Sequence, residues 1–81
     1  MTDRDTGVSI SEAASISGLS IKQLRYFENR NYIKPDYINV GGIRQRRFST
    51  NLVDQLTAIA EYRLKGFELE TAVKLAKTTK P

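Results

Sequence analysis

The 81-residue chain has no cysteine, no histidine and no tryptophan. Without cysteine there is no disulfide, no thiolate zinc site and no thiol nucleophile. Without histidine the usual general base and the commonest metal ligand are missing. Most hydrolytic chemistry is thereby excluded. No nucleophile–base pair, phosphate-cradling glycine loop or metal cluster stands out either, so neither an enzyme nor a cofactor is expected. Long apolar runs are also missing. The longest uncharged stretch, Ala13–Ile21, has nine residues, three of them serine and one glycine, whereas a bilayer span needs about 20 apolar residues. Met1 to Asp5 is not a basic region leading into an apolar run, so no export signal is read. The expected compartment is the cytoplasm, with no membrane partner.

What remains fits one small domain, which buries about 60–65% of its unfolded surface. Hydrophobic residues at 40% and charged residues at 27% mark a folded rather than a disordered chain. The net charge of +4 is uneven. Residues 1–19 sum to −2 and residues 49–81 to +1, but residues 20–48 carry seven basic against two acidic side chains. Four of the seven are interleaved with aromatics: Arg25 beside Tyr26 and Phe27, and Arg44, Arg46 and Arg47 running into Phe48. Such clustering suits a polyanion surface, although a solvated face of the same charge is an ordinary alternative.

The pattern predicts a mainly α domain of about four helices with a two-stranded β-hairpin. Residues 1–7 read as disordered, although Val8-Ser9-Ile10 has the composition of one short strand. A first helix starts near Ser9 or Ser11, with Ser9-x-x-Glu12 fitting a capping box. Its apolar positions Ile10, Ala13, Ala14 and Ile16 have helical spacing, and Gly18 ends it. Ser20-x-x-Gln23 opens a second helix, Ile21 to about Asn29. Two short helices around a glycine turn make a helix-turn-helix over residues 8–34. Tyr37–Val40 and Ile43–Phe48 flank Gly41-Gly42, a hairpin signature over residues 35–48. A third helix from Ser49 or Thr50 carries Leu52, Val53, Leu56, Ile59, Ala60 and Leu64 at a helical rhythm. Gly66 closes it, and a fourth starts near Glu68, completing residues 49–77. The whole is a winged helix-turn-helix.

On the second helix Ile21, Leu24 and Phe27 or Glu28 share one side, so Lys22, Gln23, Tyr26 and Arg30 face outward, with Arg25 at the border. Gln23 can read adenine with two hydrogen bonds, and Lys22 can donate to guanine or to a phosphate. Arg25 and Tyr26 can hold phosphates. The competing reading pairs Arg25 with Glu28 on the helix surface. On the hairpin, alternation places Arg44, Arg46 and Phe48 on one side and Ile43, Gln45 and Arg47 on the other. Arginines there serve a backbone-tracking wing, or simply keep a strand edge soluble.

The segment Ser20–Glu28, SIKQLRYFE, followed by Tyr32-Ile33-Lys34-Pro35, resembles the recognition helix and exit of MerR-type transcription regulators. Upstream, Ser9-Ile10-x-Glu12-Ala13-Ala14 and Gly18-Leu19-Ser20 resemble the first helix and turn of that family. Downstream, Arg46-Arg47-Phe48-Ser49, Leu52-Val53-x-x-Leu56 and Gly66-Phe67-x-Leu69 resemble its wing end, third helix and fourth helix. The resemblance is strongest to the branch that includes the nitrogen regulators GlnR and TnrA and the multidrug-sensing BmrR. It implies a homodimer that binds double-stranded DNA at an inverted-repeat promoter operator. Many such regulators distort the operator to realign promoter elements for RNA polymerase; others repress. By motif position Lys22, Gln23, Arg25 and Tyr26 match groove and phosphate contacts, and Arg46 matches the wing arginine. The wing departs from the family pattern: Gln45 stands for the aromatic before that arginine and Arg44 for the glycine. Family members usually continue into a long coiled-coil helix and an effector domain, so these residues are expected to be the DNA-binding part of a longer regulator and monomeric alone. Two other functions remain open: an excisionase-like recombination accessory protein, and a protein-interaction module docking through the hairpin.

Overall fold

The structure, a computed structural model, describes residues 7–78; of residues 1–7, expected to be disordered, 1–6 lie outside that range, whereas the Gly7 carbonyl accepts a hydrogen bond from Arg47. It is a winged helix-turn-helix of four helices and one antiparallel hairpin: α1 Ile10–Ser17, α2 Ile21–Asn29, β1 Asp36–Val40, β2 Ile43–Arg47, α3 Thr50–Leu64 and α4 Leu69–Thr78.

Local chemistry explains most boundaries. Ser9 and Ser20 each form a complete capping box, their hydroxyls accepting from the Glu12 and Gln23 amides while those side chains accept from the Ser9 and Ser20 amides. Each cap is worth about 1 kcal/mol, which matters for helices of 8 and 9 residues that are too short to persist alone. Gly18 closes α1 in the left-handed conformation. Asn31 (φ 64°) turns the chain out of α2, a backbone region that asparagine tolerates better than most side-chain-bearing residues. Its amide and that of Tyr32 then donate to the Glu28 and Phe27 carbonyls. Ile33 and Pro35 are thereby drawn into the protein.

The α3 helix is the central element, packed on α4 and on α1, with Leu56 and Ile59 almost completely buried. Around them gather Ala13 and Ala14 from α1, Leu24 and Phe27 from α2, and Ala72, Val73 and Ala76 from α4. The hairpin turns through Gly41 (φ 59°) and Gly42 (φ 83°), two successive left-handed residues as a type I′ turn requires. Its register places Tyr37 opposite Arg46 and Asn39 opposite Arg44. Every β1 residue is exposed, and such a ribbon is marginal by itself. It is fastened at its base by Phe48, 1% exposed, which exchanges backbone hydrogen bonds of 2.9 and 2.8 Å with Val8.

Four expectations need correction. Val8-Ser9-Ile10 is no strand: Val8 makes an isolated bridge to Phe48, Ser9 is the cap and Ile10 is already helical. Ile16 is 59% exposed, and the core position on that turn belongs to Ser17. Its hydroxyl donates to the Ala14 carbonyl and accepts from the Leu19 amide, which satisfies it inside the protein. Leu64 is 88% exposed. Tyr62 is the residue that packs inward near the end of α3, edge-on to Phe67, and two residues further round the helix, about 200°, points Leu64 at solvent. Ile21, at the first turn of α2, is also more exposed than its apolar spacing predicts.

Candidate nucleic-acid interface

The buried stripe of α2 consists of Leu24 and Phe27. That anchoring leaves Lys22, Gln23, Arg25 and Tyr26 exposed on the opposite side. Tyr26 lies edge-on to Phe27 at 6.4 Å, with the Arg30 guanidinium 6.0 Å from its ring centroid. The Gln23 side chain has a second job: its Oε1 accepts the Ser20 amide at 2.9 Å. A two-bond adenine contact therefore has to share that oxygen or release the cap, whereas the amide nitrogen is not needed by the capping box.

Glu28 joins this helix to the wing. Arg46 donates from Nε to Glu28 Oε1 at 2.6 Å, and the Tyr37 hydroxyl donates to Glu28 Oε2. The Arg44 guanidinium lies over the Tyr37 ring at 4.2 Å and that of Arg46 at 5.8 Å. Glu28 is thus held by the wing, not paired with Arg25. Partial burial pushes the Glu28 carboxyl up, but the Tyr37 hydroxyl and the Arg46 guanidinium outweigh it and hold the carboxyl below its usual range. The same bond holds the Tyr37 phenol proton and pushes its pKa up. Arg46, bonded to Glu28, is raised further above an already high value.

Arg44 and Arg46 therefore share the wing face that meets α2. Arg47 occupies the other face, is half-buried and donates from Nη2 to the Gly7 carbonyl at 2.8 Å, so it helps anchor the base of the wing. The face shared with Arg47 is otherwise apolar at the tip, where Ile38, Val40 and Ile43 are 37%, 48% and 64% exposed.

Three participants were not singled out from sequence. Tyr37 and Glu28 became visible only once the hairpin lay against α2, although a two-residue turn at 41–42 already sets Tyr37 opposite Arg46. Arg63, near the end of α3, lines a cleft of about 300 Å³ together with Gln23, Leu19 and Leu64. It brings one more cation beside the start of α2.

The model of the MerR HTH family of regulatory proteins matches residues 8–79, nearly the whole chain. The chain belongs to the MerR family. This is a regulatory, DNA-binding family rather than an enzymatic one. A comparison with curated proteins gave no match. Among the described residues no His, Cys, Asp or Glu side chains gather as a metal site. No helix among them is long and apolar enough to cross a membrane.

Proposed function

We propose that this MerR-type domain binds double-stranded DNA sequence-specifically, with α2 in the major groove and the hairpin wing along the adjacent backbone. One observation carries the reading: Lys22, Gln23, Arg25 and Tyr26 are exposed on α2, and the wing arginines Arg44 and Arg46 are tied to the same helix through Tyr37 and Glu28. Gln23 and Lys22 read base edges, and Arg25, Tyr26 and Arg44 hold phosphates. Arg46 contributes the guanidinium edge left over from Glu28, and Arg47 acts from the wing base. Residues 8–34 form the reading unit, 35–48 the wing and 49–77 its support, in one domain over the whole chain.

The wider reading is a cytoplasmic transcription regulator that acts as a homodimer on an inverted-repeat promoter operator, within reach of RNA polymerase. The helix segment Ser20–Glu28 favours the GlnR, TnrA and BmrR branch. The domain alone then binds one half-site weakly, because a linked second module raises avidity through effective concentration. Selection of duplexes from a randomised pool by the 81-residue chain, followed by affinity titration at several salt concentrations, tests this. A recovered consensus and a log–log salt dependence are expected; salt-insensitive or absent duplex binding would refute it. The exposed Ile38, Val40 and Ile43 face favours a second reading, in which the wing also docks on a protein.

A further inference from the structure

A carboxylate within a surface that meets a polyanion opposes binding unless it does something else. Glu28 is on α2 three residues from Arg25, and both its oxygens are engaged by the wing, one by Arg46 Nε and the other by the Tyr37 hydroxyl. The wing needs such a hold. Outward from Phe48 its strands are largely exposed, so core packing holds the hairpin only at its base. Arg44 is four residues out from Phe48, or ~13 Å along an extended strand, so a swing of ~10° moves its guanidinium by ~2 Å. That is enough to lose a phosphate hydrogen bond. Tyr37, fixed by Glu28, is also the ring on which Arg44 lies.

We propose that Glu28 is a positioning residue for DNA binding: it clamps the wing onto the recognition helix, so that Arg44 and the free edge of Arg46 follow the same backbone as Arg25 and Tyr26. The inference rests on the DNA-binding reading above. It carries an unusual sign. Neutralising an acidic group beside DNA strengthens binding when the group acts only through its charge. Neutralising a clamp weakens it, because the arginines it orders are released.

The test uses the full chain and a fluorescein-labelled duplex selected by the unsubstituted chain from a randomised pool. Glu28→Gln keeps the size of the side chain and removes its charge. It is expected to bind about threefold to tenfold more weakly, the net range of one ordinary hydrogen bond. Tyr37→Phe loses only the hydroxyl and is expected to weaken binding in the same direction by a smaller factor; should Glu28→Gln not fold, it decides the matter. Arg44→Ala is expected to cost less in the Glu28→Gln background than alone, since a contact already lost cannot be lost again. Unchanged or tighter binding by Glu28→Gln, or an equal Arg44→Ala penalty in both backgrounds, overturns the proposal while leaving DNA binding intact. Failure of the unsubstituted chain to bind any duplex overturns the DNA-binding reading and the proposal with it.

Discussion

Replacing Gly7 by alanine should damage this domain far more than replacing Gly18, although both glycines have left-handed backbones, with φ of 73° and 82°. At Gly18 an added Cβ meets nothing within 4 Å, so the cost is the backbone preference alone, about 1–2 kcal/mol. At Gly7 the same atom would lie 2.5 Å from the Phe48 carbonyl oxygen, 2.8 Å from its carbon and 3.2 Å from the Ser49 nitrogen. These are backbone atoms that cannot rotate aside. The strap must lift, which endangers both Val8–Phe48 hydrogen bonds and the Arg47 bond to the Gly7 carbonyl. At a net ~1 kcal/mol per bond, Gly7→Ala should cost roughly 4–5 kcal/mol if all three bonds are lost. A domain of this size holds only about 4–12 kcal/mol at ordinary stability per residue. Urea unfolding of the two variants side by side measures the difference, provided their slopes match. Equal costs within about 0.5 kcal/mol would show that the 7–8 strap does not hold the base of the wing.

Other outcomes follow from the same contacts. Gln23→Glu keeps an acceptor for the Ser20 amide and places a negative charge at a helix N-terminus, where it is favourable; stability should hold while duplex affinity falls more than about tenfold through the lost donor and phosphate repulsion, as paired thermal-melt and anisotropy measurements would reveal. Arg44→Ala should lower the slope of log affinity against log salt by about 0.9, and Arg47→Ala by less, because Arg47 is already bonded to Gly7; a larger change for Arg47 would reverse their assigned roles. Because the native carboxyl of Glu28 lies below its ordinary 4.5, its contribution to stability is present above that pH and is lost as pH falls through the lowered value. The stability gap between the unsubstituted chain and Glu28→Gln should therefore close in acid, and urea midpoints measured across that range would expose a gap that persists.

Much of the fold was legible in short-range spacing. Ser9 with Glu12, Ser20 with Gln23, and the Gly41-Gly42 pair all act over two to four residues, and each behaves in the protein as its pattern predicts. The outward side of α2 followed equally well, because Leu24 and Phe27 leave little freedom once they are buried. Apolar residues near helix ends were less legible. Ile16 and Leu64 fit a helical rhythm, but which side of a terminal turn is covered depends on where the neighbouring element stops.

The chain's own order of residues was therefore sufficient for the caps, the primed turn and the outward face of α2, since these depend on neighbours along one helix or hairpin. Folding in three dimensions alone settled that Glu28 receives Arg46 from 18 residues away instead of Arg25, that Arg47 turns back to Gly7, and that Arg63 comes beside Gln23. Those choices depend on the angle at which the hairpin leaves Phe48 and on how α3 lies across the first two helices. Such angles come from the packing of the whole core, which no local spacing encodes.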